Sequence, residues 1–173
     1  MSLKKTTLVF NGSVNGKQYI WPDVPIQYLK TAKLLTAENN LNKDFVFLDK
    51  LTRTQGICLK FWYTRLSTIE IIGPPVGKIK FSYFIDNEKI YSVLNYISSY
   101  DNKYKQDLAL NIKKNNKELE RPIQSLFVHL LSAFLYLQDD ESLKIICAYI
   151  AFKTSPDTKE NVIKMLGYDI YQS

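Results

Sequence analysis

Residues 44–64 read DFVFLDKLTRTQGICLKFWYT. Phe45-Val46-Phe47-Leu48 is a short apolar run with the length of a buried strand. Beyond Asp49 and Lys50 the pattern changes. Leu51, Ile57, Cys58, Phe61 and Trp62 are apolar positions that suit a helix, although Gly56 in its middle weakens it by about 1 kcal/mol relative to alanine. A strand that passes directly into a helix predicts mixed α and β structure.

Toward the N-terminus, TTLVF (6–10) and KQYIW (17–21) are two short β-rich runs around the turn cluster NGSVNG (11–16), which predicts a hairpin. Pro22 and Pro25 end it. From Ile26 the spacing of Ile26, Leu29, Leu34 and Leu35 is helical. ENNLNKD (38–44) is a polar loop.

Toward the C-terminus, TIEII (68–72) and KIKFSYFI (78–85) flank GPPVG (73–77) and predict a second hairpin. In the second run Ile79, Phe81, Tyr83 and Ile85 alternate with polar residues, the period of a half-buried strand. Asp86 or Asn87 can cap a helix carrying Ile90, Val93, Leu94 and Ile97. Residues 101–120, rich in Asn and Lys, predict a loop.

The remainder predicts three helices. Pro122 suits the start of the first, and Ile123, Leu126, Phe127, Leu130, Leu131, Phe134 and Leu135 form its stripe. Residues 138–141, QDDE, break the pattern and supply a cap and first-turn negative charge for the second. That helix carries two stripes. One comprises Leu143, Ile146, Cys147, Ile150 and Ala151, and the other Ile145, Tyr149 and Phe152. A surface helix needs only one stripe to pack on its own core. Ser155-Pro156-Asp157 starts a third helix with Val162, Met165 and Leu166, which Gly167 stops.

The chain has 173 residues, enough for one domain or one domain with a subdomain. Apolar residues make up 46% and aromatics 13%, which excludes a disordered chain and permits a substantial core. No apolar run is long enough to cross a membrane, and the N-terminus lacks the apolar stretch of a signal peptide. Cys58 and Cys147 read as buried thiols of an intracellular protein, cytoplasmic or nuclear. The net charge is +6, all of it in residues 1–100, where 13 Lys and Arg face 7 Asp and Glu. A basic half raises nucleic acid as a partner. However, 20 of the 23 basic residues are Lys, the bias of an AT-rich genome such as that of a large DNA virus or a protist. Arg, the residue of bidentate base and phosphate recognition, occurs only three times, which argues against nucleic-acid binding.

Leu126-Phe127, Ser132-Ala133, Leu135-Tyr136-Leu137, then Leu143, Cys147 and Ile150-Ala151, then Ser155-Pro156-Asp157, follow the order of a known pattern. It resembles the C-terminal region of the Skp1 proteins, adaptor subunits of cullin–RING ubiquitin ligases with the BTB/POZ fold. The opening strand–turn–strand–helix and the unit DFVFLDKLTRTQGICLKFWYT, with Trp62 near its end, resemble the family's N-terminal part. The likeness covers residues 6–65 and 123–168. It implies an α+β fold in which a small sheet is flanked by helices and followed by a C-terminal helical extension. Residues 1–120 would form the BTB/POZ-like domain, with a hairpin and helix inserted at about 66–100, and residues 121–173 the helical region. Three features depart from the family: the basic charge, the apolar 68–97 segment, and the absence of an acidic tail containing Trp.

The resemblance implies a non-catalytic adaptor that bridges a cullin to an F-box-type protein. The F-box-like helix would meet Ile145, Tyr149, Phe152, Val162, Ile163, Leu166 and Tyr168. The cullin would meet Leu135 and Tyr136, where the family's Asn-Tyr pair has become Leu-Tyr. A second reading is a BTB/POZ-type interaction module that self-associates as a homodimer or sequesters a partner, without ligase duty; a third is a basic nucleic-acid-binding protein. Nothing in the chain predicts chemistry. His129 is the single histidine and has no motif around it. The two cysteines lack zinc spacing, GPPVG lacks the Lys and Ser/Thr of a phosphate loop, and no Ser–His–Asp set suggests itself. No catalytic residue, metal or cofactor is expected.

Overall fold

A computed structural model describes residues 4–11, 17–36, 44–73, 79–114 and 124–154. The described chain is mixed α and β, with a three-stranded sheet and six α-helices. It divides into two units that do not follow a single boundary near residue 120. One comprises residues 1–70 with 129–143, the other residues 71–128 with 144–173.

In the first unit, β1 (Lys5–Phe10) pairs antiparallel with β2 (Tyr19–Pro25) and parallel with β3 (Phe45–Leu48), in the order β2-β1-β3. The strands alternate as a half-covered sheet should. Thr6, Leu8, Phe10, Trp21, Val24, Val46 and Leu48 point inward and are buried. Between Trp21 and Val24 the register slips, and Asp23 takes a positive φ of 54°. Such a bulge admits Asp because its short polar side chain tolerates the left-handed region. The helical pattern from Ile26 is realised in two pieces, a 3-10 turn Ile26–Leu29 and α1 (Lys33–Thr36).

The helix α2 (Arg53–Leu66) packs on the sheet, and its Leu59, Trp62 and Tyr63 are buried. Thr52 accepts from the Gln55 N–H at 3.2 Å while Gln55 Oε1 accepts from the Thr52 N–H at 2.9 Å, a reciprocal capping box. Gly56, which propensity counts against the helix, is demanded by packing. A Cβ there would lie 2.7 Å from both the Phe10 and Tyr19 rings. The close approach of strand and helix therefore decides the residue.

In the second unit, residues 79–86 do not form the expected strand. Phe81–Asp86 is a short helix, α3, and α4 runs from Glu88 to Lys114 through most of the stretch expected to be a loop. The alternation that suggested a strand is carried by few residues. As a helix, the segment buries Phe84 and leaves Phe81 and Ile85 exposed. Asn87 sits between the helices, as expected of a cap, but its side chain bonds elsewhere. Its Oδ1 accepts from the Ile72 N–H at 2.8 Å and its Nδ2 donates to the Ile72 carbonyl at 3.0 Å, which holds the incoming chain. In α4, Ile90, Leu94 and Ile97 form the buried stripe, and the Asn/Lys-rich remainder is a solvated helix.

The helices α5 (Leu126–Leu137) and α6 (Asp140–Lys153) follow. Asp101 of α4 fixes the start of α5, accepting from the Leu126 N–H at 2.7 Å and from Ser125 Oγ at 2.8 Å. The expected start at Pro122 and the expected last helix, from Ser155 to its stop at Gly167, lie outside the described residues.

Candidate interaction surfaces

Both apolar stripes of α6 contribute to the core: Ile146 (0% exposed) and Ile150 (7%) of the first are buried as expected, and the second, expected to await a partner, is largely covered too. Ile145 (1% exposed) and Tyr149 (0%) are buried in the second unit, whereas Cys147 and Ala151, expected to face the chain's own core, are exposed. Tyr149 lies in an aromatic cluster, with ring centroids 6.4 Å from Phe84, 5.8 Å from Tyr91 and 5.6 Å from Phe127. Phe152 is half-buried and stands edge-on to Phe81 at 5.4 Å and to Phe84 at 5.5 Å. The surface that Ile145 and Tyr149 would offer to an F-box-like helix is thus buried, with Phe84 of α3, Tyr91 of α4 and Phe127 of α5 against Tyr149. Because the alternation at 79–86 predicts a strand, the helix that brings Phe84 to this surface is not visible in the local pattern. Val162, Ile163, Leu166 and Tyr168 lie outside the described residues.

The polar edge of the cluster is also satisfied internally. The Tyr149 hydroxyl donates to Asn95 Oδ1 at 2.7 Å. The Lys153 ammonium lies 5.5 Å from the Tyr91 ring centre and 5.6 Å from that of Tyr149. Burial pushes the Tyr149 phenol up to about 12; Ser98 opposes this with a hydrogen bond and Tyr91 adds to it. Burial also raises the Cys147 thiol above its ordinary value, even though the residue is exposed overall. Cys58 is half-buried, so neither thiol is sealed as expected.

In the first unit, Leu135 is 65% exposed and Tyr136 is half-buried on α5. Leu131, Ser132, Leu135 and Gln138 fall at i, i+1, i+4 and i+7, one face of the helix. The helix ends just below. The Asp139 N–H donates to the Phe134 carbonyl and the Gln138 N–H to the Leu135 carbonyl, with Gln138 at φ 57°, the pattern of a Schellman turn. Asp139 then caps α6. Its buried carboxylate accepts at Oδ2 from Tyr63 (2.7 Å), Thr31 (2.8 Å) and Ser142 (2.8 Å), and at Oδ1 from the Ser142 N–H (3.1 Å). The Ser142 hydroxyl in turn accepts from Trp62 Nε1 at 2.9 Å. These bonds join α2, the turn before α1, and α6 at one point. The cap was legible in QDDE; its link to Tyr63 and Trp62 was not, because it spans more than 75 positions.

The outer face of the sheet, unremarked in the sequence, is apolar and open. Ile20, Val9 and Phe47 lie side by side across the three strands, and Thr7 and Phe45 form the next row. Ile20 is 53% exposed, Phe45 58% and Phe47 47%. Alternation in β3 carried the signal. A strand covered on one face only must turn Phe45 and Phe47 to the other side if Val46 and Leu48 are inward.

Among the described residues no group of three His, Cys, Asp or Glu is arranged to hold a metal, and no helix is long and apolar enough to cross a membrane. His129 is half-buried, and its carbonyl accepts from Gln55 Nε2 at 3.3 Å. No family model, curated protein or solved structure matches the chain.

Proposed function

We propose that this chain is a non-catalytic protein-interaction module with a BTB/POZ-like sheet-and-helix core. The observation that carries the proposal is the open apolar row of Ile20, Val9 and Phe47, with Phe45 beside it. Exposed apolar side chains that are contiguous across a sheet mark a contact surface more often than scattered ones do. The order of two strands, helix, strand and helix also supports a BTB/POZ-like core. Bait capture from the native host, with Ile20→Asp and Phe47→Asp as controls, tests the reading. Partners retained by the parent chain and lost by both variants support it. Equal recovery from all three overturns the sheet face as the contact.

The adaptor reading keeps one supporting observation, the exposure of Leu135 beside Tyr136 on α5. That pair is available to a cullin-like helical partner. Burial of Ile145 and Tyr149 removes their part of the F-box-like surface. Mixing the chain with a cullin N-terminal domain, with and without Leu135→Asp, tests this second reading directly.

A further inference from the structure

The sheet has two edges of unequal character. The β2 edge is interrupted by the bulge at Asp23 and by Pro22 and Pro25, residues without an N–H to offer. Such features protect an edge from pairing. The β3 edge, Phe45-Val46-Phe47-Leu48, has no proline, charge or bulge. Its only extensive backbone contact with a described element is with β1.

The direction of the β3 groups that bond no described strand follows from the parallel ladder. The Thr7 N–H donates to the Asp44 carbonyl at 3.0 Å, and Thr7 lies opposite Phe45. In a parallel pair the residues that bond one neighbour alternate along the strand. The backbone groups of Asp44, Val46 and Leu48 therefore turn toward β1, and those of Phe45 and Phe47 turn outward. Both outward residues also expose their rings on the uncovered face.

We infer that β3 pairs antiparallel with β3 of a second copy of this chain about a two-fold axis at Val46, joining two sheets into one of six strands. In this register Phe45 of one copy lies opposite Phe47 of the other, twice, and Val46 lies opposite Val46. The outward N–H and C=O groups of Phe45 and Phe47 make four hydrogen bonds across the axis. Inward residues face inward residues, as the period of two requires. The four phenyl rings form adjacent cross-strand pairs on the outer face, a stabilising arrangement. The strand carries no charge, and Asp44 and Asp49 do not come opposite their own copies, so no like-charge pair opposes the contact. A second copy fits better than an unrelated strand, because the isologous register satisfies both outward residues on both sides.

The contact is small. Four-residue strands with two phenyl rings per copy fall short of the roughly 800 Å² per partner of a stable complex, so the association is weak and depends on concentration. This inference rests on the interaction-module reading and names one partner for its surface. Failure of self-pairing leaves capture of other proteins untouched, so the two outcomes are distinguishable.

The test is sedimentation equilibrium of the full chain over a wide concentration range. The average mass is expected to rise from the 20.1 kDa of one chain toward twice that value. Phe47→Lys is expected to weaken association at least tenfold, with an unchanged circular-dichroism spectrum. For register, single variants Phe45→Cys and Phe47→Cys are prepared in a Cys58→Ser/Cys147→Ser background. On mild oxidation, the mixture of the two is expected to yield a disulfide-linked dimer in several-fold excess over either alone. A chain that stays monomeric throughout, a dimer that survives Phe47→Lys, or cross-linking no greater in the mixture overturns the inference. If Phe47→Lys unfolds the chain, the cross-linking result decides alone.

Discussion

The phenol of Tyr63 donates a 2.7 Å hydrogen bond to Oδ2 of Asp139, 76 positions away. Both groups are buried, and Asp139 also satisfies Thr31 and Ser142. Asp139→Ala removes the cap of α6 and leaves three hydroxyls without their shared acceptor. Unpaired buried polar groups and a lost cap together cost about 3 kcal/mol or more. Urea unfolding should show a midpoint far below that of the parent. Tyr63→Phe removes one donor only and should cost about 1 kcal/mol.

Alkaline pH should reveal the buried phenols. Burial raises Tyr63 well above its ordinary value, with the Asp139 charge and hydrogen bond acting in the same direction. Tyr149 is raised from 10.0 to about 12. The folded chain thus holds these protons more tightly than the unfolded chain. The resulting stabilisation is complete below pH 10 and is lost as pH rises toward 12 for Tyr149. Ultraviolet titration should show a late tyrosine group ionising together with unfolding.

Ile145→Asp and Tyr149→Asp should unfold the second unit rather than modify a surface. An unpaired charge placed in a packed aromatic cluster costs about 3–5 kcal/mol. Loss of near-ultraviolet dichroism in both variants checks this. A folded variant with native dichroism would show that the cluster is not a core.

Gly56→Ala should destabilise despite the better helix propensity of alanine. The gain of about 1 kcal/mol is outweighed by overpacking of about 1–3 kcal/mol against rings whose atoms lie 2.7 Å from the new methyl. A lower melting temperature in calorimetry is the expected result.

Cys147, exposed but with its thiol raised by burial, should label with maleimide more slowly than a free cysteine at neutral pH. The rate should climb with rising pH more steeply under alkaline conditions than for a free cysteine, because the thiolate is the nucleophile and burial raises this thiol.

Much of the first unit was legible in the sequence because its signals are local. The three strands follow from short β-rich runs, and the core position of Trp62 follows from helical spacing. The capping box at Thr52 and Gln55 was equally local and readable in TRTQ. The second unit was misread at two places. Ile79, Phe81, Tyr83 and Ile85 offered too few alternations to separate a strand from a one-turn helix. The polarity of residues 101–114 suggests a loop, whereas a helix packed along one stripe is free to be polar elsewhere. The candidate surface was misplaced for the same reason. That the second stripe of α6 is covered as well as the first depends on Phe84, Tyr91 and Phe127, brought to Tyr149 by the fold and not by proximity in the chain.

The polypeptide crosses between its two units three times, after residues 70, 128 and 143. Neither unit is therefore an uninterrupted piece of chain. No single pair of truncation points excises one of them whole. During synthesis the first unit must wait for residue 143 to leave the ribosome before it can close, although its sheet is finished by Leu48. Fragment expression should accordingly give insoluble halves, and recombination that swaps contiguous segments would break both units at once.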